Sequence, residues 1–217
     1  MTTFQQIELQ CPVCESHFRS QTVVETNGRG VKRTDFHERA AGTQLLPYLV
    51  HTCQRCGFTG AERDFADGTE VTPHLREHVW RELAPAIGSA PMTGSVKYEV
   101  AAKVAAWQAL EPRHVGDLLL RASWCSADEG EHRGERFFRR KAAWAFEQAL
   151  ESWDGVEHEE RAVLTYLVGE LWRRVGDQKL ARAWFDKVPD EILDPATQQW
   201  VLDAARQQRD APREWFG

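Results

Sequence analysis

The sequence has no long apolar run and no leader-like start, and these two absences bound where the protein resides. No apolar stretch in its 217 residues approaches the roughly 20 residues that a membrane-spanning helix needs. The first residues, Met1–Gln6, carry neither a basic start nor an apolar core, so they do not resemble a secretory signal. We therefore expect a cytoplasmic protein without a membrane partner, in a compartment where disulfides are rare.

Familiar catalytic fingerprints are also lacking. The sequence contains no glycine-rich phosphate loop, no G-x-S-x-G elbow and no Rossmann dinucleotide fingerprint. Its formal net charge of −6 argues against sequence-independent nucleic-acid binding by the chain as a whole. The prediction is therefore a protein that is not an enzyme.

Cysteine is scarce, but four of the five cysteines form two matching pairs. Cys11 and Cys14 form one C-x-x-C turn, and Cys53 and Cys56 form another, which is followed by Gly57. Two intervening residues let both sulfurs of a pair point to one centre, where amides past the turn can donate to them. Four thiolates form the tetrahedral set that Zn²⁺ prefers in closed structural sites. We predict one structural Zn²⁺ per chain, with iron as the alternative because rubredoxin-like sites use similar turns.

The chain changes character near residue 70, which divides it into two predicted units. Residues 1–70 contain three short stretches that flank the cysteine turns, and we predict strands at 4–10, 18–24 and 45–51. Such a small unit has a thin core of its own, which a bound metal would reinforce. Residues 71–217 show helical periodicity without a strand signal. The predicted fold class is α+β, mostly α: a small N-terminal zinc ribbon of short antiparallel strands, followed by stacked α-helices.

The second unit is predicted to contain a repeat. Within residues 165–188, a small Gly169 on one helix and Phe185 on the next fit the tetratricopeptide pattern, in which small residues let two helices cross closely. Residues 118–149 form a looser copy, with Ala122 at the small position. The predicted helices lie near 73–84, 94–110, 113–127, 133–152, 157–175, 177–187 and 195–209.

Several stretches of the chain together resemble one known family. They are the CPxC turn at 11–14, Asp35 and Tyr48, the C-x-x-C-G-aromatic turn at 53–58, and the helical stretches 118–124 and 166–176. Their order is similar to an uncharacterised bacterial family, domain of unknown function 2225. The resemblance implies a metal-binding front unit followed by tetratricopeptide-like helices, and it implies no activity. Glu15 departs from the usual zinc-knuckle form, which has glycine after the turn.

One helix of the better repeat is the candidate partner-binding surface. Tyr166, Glu170, Arg173 and Arg174 are expected to face a concave groove that binds another protein or a peptide. The leading prediction is therefore a cytoplasmic, zinc-binding interaction or scaffold protein. The sequence names neither the partner nor an oligomeric state.

The basic stretch 29–39 supports a second hypothesis, a nucleic-acid-binding or regulatory factor that uses the zinc ribbon. Arg29, Lys32, Arg33 and Arg39 would contact phosphates, and binding would weaken steeply with added salt. A solvated loop beside the metal unit is the competing interpretation.

A third hypothesis, a metallopeptidase, comes from the H-x-x-E-H motif formed by His74, Glu77 and His78. On a helix, the two imidazoles would share one face, with Glu77 near enough to act as a base. A glutamate within 147–160 would supply the third ligand. The motif is short and prone to chance matches, so a polar helix face in water is the competing interpretation.

Overall fold

The computed structural model describes residues 2–25, 29–88, 91–152 and 155–216, except for the side chain of Arg29. Within this part of the chain, six short strands precede seven α-helices, which confirms the predicted class. The strands are β1 (Thr3–Gln10), β2 (His17–Glu25), β3 (Arg29–Lys32), β4 (Glu38–Ala40), β5 (His51–Thr52) and β6 (Thr59–Gly60). The helices are α1 (Pro73–His78), α2 (Gly94–Trp107), α3 (Pro112–Asp128), α4 (His132–Glu151), α5 (His158–Val175), α6 (Gln178–Phe185) and α7 (Pro195–Asp210).

Each cysteine turn connects the two strands of an antiparallel hairpin. β1 pairs with β2, and Gln10 lies opposite His17 at the end that carries the first turn. β5 pairs with β6, and Thr52 lies opposite Thr59 beside the second turn. A third hairpin, β3–β4, lies between them in the sequence. The first hairpin matches the two strands predicted there.

The strand predicted at 45–51 is wrong for most of its length. Leu46–Tyr48 forms a 3₁₀ turn, and only the short β5 follows it. Pro47 has no backbone N–H to donate to a strand partner, and its fixed φ suits the turn instead. Tyr48 N donates to Leu45 O at 2.9 Å, which closes the turn.

Helix α1 begins as the sequence predicts. The Thr72 hydroxyl accepts a hydrogen bond from the Leu75 amide at 3.1 Å, and Pro73 occupies the first helical position. After His78 the helix continues as a π-helical turn, Val79–Leu83. This turn keeps the apolar side of the helix against the cysteine unit.

The core of the cysteine unit extends past residue 70. It combines buried residues of the two hairpins, including Phe58, with Leu75 of α1, Leu83 of the π-helical turn and Val104 of α2. Helix α1 follows the predicted boundary in sequence, yet it packs with the unit before it. The front unit therefore obtains part of its core from the helices, because its own strands are too short to supply one.

The helices form a second core, in which consecutive helices from α2 to α7 pack against one another. Gly169 of α5 faces Phe185 of α6, and a Cβ placed on Gly169 would lie 2.7 Å from the aromatic ring. A small residue thus lets these two helices approach, as the repeat pattern predicts. In the looser copy, Gly116 of α3 faces Phe146 of α4, and a Cβ on it would lie 2.5 Å from the ring. Ala122, which was predicted at the small position, is fully buried in α3, and its role in a repeat stays a prediction.

The segment between β3 and β4 connects the front of the chain to the helices. Asp35 is fully buried there, and it accepts a hydrogen bond from Arg139 Nη2 of α4 at 2.9 Å. Arg174 of α5 lies 3.6 Å from the same carboxylate, and Arg33 lies 3.9 Å from it. Burial alone would raise the pKa of Asp35, but Arg174, Arg139 and Arg33 outweigh it and lower the pKa.

None of the helices within the described residues combines the length and the apolar character required to cross a bilayer.

Replacing Gly169 with alanine should destabilise the protein by about 1–3 kcal/mol, because the new methyl group overlaps the Phe185 ring. The steric cost exceeds the gain of about 1 kcal/mol that alanine brings to a helix interior. Urea unfolding of the single variants and of the Gly169→Ala/Phe185→Leu double variant measures this effect. The double variant should lose less stability than the two single variants added together. A neutral or stabilising Gly169→Ala would contradict the close crossing.

Replacing Asp35 with asparagine should cost about 3–5 kcal/mol, because it leaves buried arginines without their counter-charge. The pKa of Asp35 is lowered in the folded chain. Its stabilising contribution is therefore present above the unfolded pKa of about 3.9, and it is lost as pH falls through the folded value. Unfolding measured from pH 7 down to acid should show wild type and variant converging. Asp67→Asn, at an exposed position, is the control and should change stability by less than about 0.5 kcal/mol.

Candidate metal centre

The first cysteine turn is closed by backbone hydrogen bonds at the end of the β1–β2 hairpin. Cys11 N donates to Ser16 O at 3.0 Å, and Glu15 N donates to Cys11 O at 2.8 Å. Glu15 adopts φ of 61°, which is the left-handed conformation that glycine usually supplies here. The departure from the knuckle pattern therefore changes the residue type and leaves the shape of the turn unchanged.

The second turn repeats this geometry at the end of the β5–β6 hairpin. Cys53 N donates to Phe58 O at 2.9 Å, and Gly57 N donates to Cys53 O at 2.9 Å. Gly57 has φ of 79°, and a Cβ on it would lie 2.9 Å from Leu83 Cβ. Glycine is required here for two reasons, the backbone conformation and the close contact with the π-helical turn.

Backbone amides donate to the sulfurs, as expected for this kind of turn. The amides of Val13 and Cys14 bond to the Cys11 sulfur, and the amide of Cys56 bonds to the Cys53 sulfur. The Phe58 amide bonds to the Cys56 sulfur. Such donors favour the thiolate form, which is the form that binds a metal.

The two turns bring their four sulfurs together. The Sγ atoms of Cys11, Cys14, Cys53 and Cys56 all lie within 4.8 Å of one another. Cys11 Sγ lies 3.5 Å from Cys56 Sγ, and Cys14 Sγ lies 3.5 Å from Cys53 Sγ. A tetrahedron with metal–sulfur bonds near 2.3 Å has edges of about 3.8 Å, so the spacing fits a shared ion. The cysteines are free thiols, three of them buried and Cys14 partly exposed.

Within the described residues, this is the one group of three or more histidine, cysteine or acidic side chains that is placed to hold a metal. Its four donors are soft and equivalent, which suits Zn²⁺ or iron and disfavours Mg²⁺ or Ca²⁺.

The thiols perturb one another at these distances. The hydrogen bond to Cys53 raises the pKa of Cys11 to about 12, and hydrogen bonds from Cys11 and Cys56 lower the pKa of Cys53. Four thiolates packed this closely require a positive ion to offset their repulsion.

Two contacts to the cluster were missed by the sequence reasoning. Ser16 Oγ lies 3.0 Å from Cys14 Sγ and 3.4 Å from Cys53 Sγ, so its hydroxyl can donate to either sulfur. Arg76 of α1 donates to Val13 O in the first turn. Ser16 follows the second cysteine closely and was recognisable in principle, whereas Arg76 is 63 residues from Val13 and gave no local signal.

The H-x-x-E-H motif lies on the surface of α1. His78 Nδ1 lies 2.9 Å from Glu82 Oε1, and the His78 ring stacks on Trp107. Glu77 Oε1 accepts from Arg81 Nη1 at 2.9 Å. In the part of the chain that the structure describes, no third ligand joins His74 and His78. Side chains of the motif therefore bind residues one helical turn further along the chain. This is what the competing interpretation, a polar helix face, predicts.

The basic stretch 29–39 is largely neutralised by acidic residues. The side chain of Arg29 lies outside the described residues. Carboxylates lie close to the other three: Glu38 at 3.8 Å from Lys32, Glu135 at 3.6 Å from Arg33 and Asp128 at 2.8 Å from Arg39. These pairs reduce the charge that the stretch offers to a phosphate.

Tyr166 and Glu170, predicted to line an open groove, are fully buried. The Tyr166 hydroxyl donates to Thr34 O at 2.9 Å, and Glu170 Oε1 accepts from Thr34 Oγ1 at 2.6 Å. The segment that follows β3 therefore covers this part of α5.

Arg173 and Arg174, the other two predicted groove residues, bind carboxylates of the same chain. Both donate to Glu170, with Arg173 Nε at 2.8 Å and Arg174 Nε at 2.5 Å. Both also reach Glu214, which lies beyond α7. The groove expected to be open is occupied by this chain's own segments, which sequence spacing could not show because they lie about 40 to 140 residues away.

Comparison with known proteins gives a family for the chain. A family model described as an uncharacterized protein conserved in bacteria, DUF2225, matches residues 4–211. No curated protein and no solved structure matches the chain significantly. The matched range includes both cysteine turns and helices α1 to α7. The chain therefore belongs to this uncharacterised bacterial family, domain of unknown function 2225.

Proposed function

We propose that this chain is a non-enzymatic interaction or scaffold protein of the bacterial cytoplasm. In this proposal the four cysteines hold one structural Zn²⁺, and the helices form a tetratricopeptide-like array that binds another polypeptide. The observation that carries the proposal is the convergence of four free thiols within 4.8 Å.

A structural role follows from the number and kind of ligands. Four thiolates fill the tetrahedral coordination of Zn²⁺ and leave no position for water or substrate. The bound ion would supply charge neutralisation and cross-linking, and it would provide no reactive site. Cys11, Cys14, Cys53 and Cys56 hold it, while the turn amides and Ser16 donate hydrogen bonds to the sulfurs.

The site also lies within the core of the cysteine unit. Cys11, Cys53 and Cys56 are themselves part of the core that Phe58 shares with α1 and α2. Joining the two hairpins through one ion therefore orders the surface on which those helices pack.

The proposal for the helical part rests on packing. The close approach of Gly169 to Phe185 in α5–α6 fits a tetratricopeptide hairpin, and Ala181 is buried beside it. Arrays of such hairpins commonly bind peptides or helices of partner proteins. The neutralised basic stretch and the partnered H-x-x-E-H motif give no support to the nucleic-acid or peptidase hypotheses.

Purified native protein should contain one zinc per chain by elemental analysis, because four converging thiolates form a closed site. Cys11→Ser and Cys56→Ser should each lose that metal. Cys125→Ala is the matched control, since Cys125 is buried in α3 outside the cluster and should leave the metal content unchanged.

Chelation should unfold the cysteine unit while much of the helical circular dichroism survives, because the helices have their own core. A native protein without metal would contradict the proposal, as would metal retained in both cysteine variants. Iron in place of zinc would correct only the identity of the ion.

The zinc-loaded protein should retain a protein partner from a bacterial lysate in near-stoichiometric amount, and nuclease treatment should not release it. Metal content measured on the same sample shows that the bait is intact. Retention that requires nucleic acid, or no retained protein at any salt concentration, would contradict an interaction role.

A further inference from the structure

Residues 213–216, here called the tail segment, lie against the rest of the chain like a bound peptide. Thr34 N donates to Glu214 O at 3.1 Å, and Phe216 N donates to Lys32 O at 3.1 Å. Arg33 and Trp215 form an antiparallel bridge between these bonds. Addition of an extended segment to a strand edge is a common way in which proteins bind peptides.

The carboxylate of Glu214 is held by arginines. Arg174 Nη1 donates to Glu214 Oε2 at 2.7 Å, and Arg173 Nη2 lies 3.4 Å from Glu214 Oε1. Arg33 Nη2 lies 3.6 Å from the same carboxylate. Burial would raise the pKa of Glu214, but Arg174 and Arg173 outweigh it and lower the pKa. The contact therefore selects an ionised acidic side chain.

Aromatic contacts fix the two residues that follow. The Phe216 ring stacks on Phe36, with centroids 5.8 Å apart, and it also approaches Tyr166. The Arg33 guanidinium lies over the Trp215 ring at 5.8 Å. Glu214 and Trp215 thus contact guanidinium groups, and Phe216 contacts aromatic rings. An acidic residue followed by two aromatic residues matches these contacts in that order.

The charges around the site balance only when a carboxylate from outside the groove walls is added. Four arginines line the region, and the three buried or nearly buried carboxylates of the groove walls face them. Removing Glu214 would leave these groups with one positive charge in excess, at an edge of the cluster that reaches solvent. The arginines are Arg33, Arg139, Arg173 and Arg174, and the carboxylates are Asp35, Glu135 and Glu170.

The tail segment lies at the surface, except for the partly buried Phe216 ring, which packs against the core of the helices. The Glu214 side chain is 55% exposed, and Trp215 is 44% exposed. A cavity of about 70 Å³ lies beside the segment, between Tyr166 and Gln208. The groove walls lie within the family match, which ends at residue 211, whereas the tail segment lies outside it.

We propose that the arginine groove, formed by residues 32–36 with Tyr166, Arg173 and Arg174, is a peptide-binding site. Its ligand is an extended segment of a partner protein in which a glutamate is followed by two aromatic residues. The tail segment occupies the site in cis, and the partner binds by displacing it. This inference rests on the proposed function, a protein that binds another polypeptide, and it specifies where and by what chemistry.

The test uses full-length, zinc-loaded protein and a labelled peptide with the sequence of residues 210–217, followed by fluorescence anisotropy. Glu214→Gln/Phe216→Ala weakens the cis contacts and leaves the groove intact. This variant should bind the peptide saturably, at least tenfold more tightly than wild type does, because a tethered competitor acts at an effective concentration of about millimolar. A peptide that carries the Glu214→Gln change should bind the same variant at least tenfold more weakly.

A second variant, which ends at residue 211, removes the competitor entirely and should bind the unmodified peptide at least as tightly. Circular dichroism establishes that each variant is folded. Folded variants that do not bind the peptide would overturn the inference, and so would equal binding of the Glu214→Gln peptide. If both variants fail to fold, the tail segment is part of the folding core and the inference is wrong. A protein partner still retained from lysate in any of these cases would leave the proposed function standing.

Discussion

The N-terminal third of this protein depends on four cysteine sulfurs that meet at one point. The two hairpins that carry them are short, and their strands bury few apolar side chains of their own. The cysteines are therefore both candidate metal ligands and core residues, and they pack with Phe58 and with the first two helices. A cation that holds the sulfurs would also determine how the hairpins present this surface, so metal binding and docking of the helices are energetically coupled.

A second constraint joins the front of the chain to the helical array. Asp35 extends from the turn between β3 and β4 into a cluster of arginines on α4 and α5. Glu214 reaches Arg174 of this cluster and Arg173 beside it. Because buried charges are costly unless each is matched, separating Asp35 from Arg139 and Arg174 would be strongly unfavourable.

Much of the fold was readable from local patterns. Thr72 and Pro73 marked the start of α1, Gly169 and Phe185 marked a close helix crossing, and the cysteine spacing marked four thiols that converge and could hold a metal ion. These predictions succeeded because capping, close packing and ligand geometry act over a few residues. The prediction of a strand at 45–51 was wrong because Pro47 favours a turn. The prediction had given more weight to the apolar run than to this proline.

The amino-acid sequence determined the helices, the two cysteine turns and the family to which the chain belongs, since each depends on neighbours or on a short repeated spacing. It did not reveal that Tyr166 and Glu170 are covered, nor that Glu214 reaches Arg174, because those contacts join residues 40 or more positions apart. Whether a charged helix face is open or occupied depends on where distant segments fold back. That depends on the balance of buried charge and packing across the whole chain, which the folded structure alone reveals.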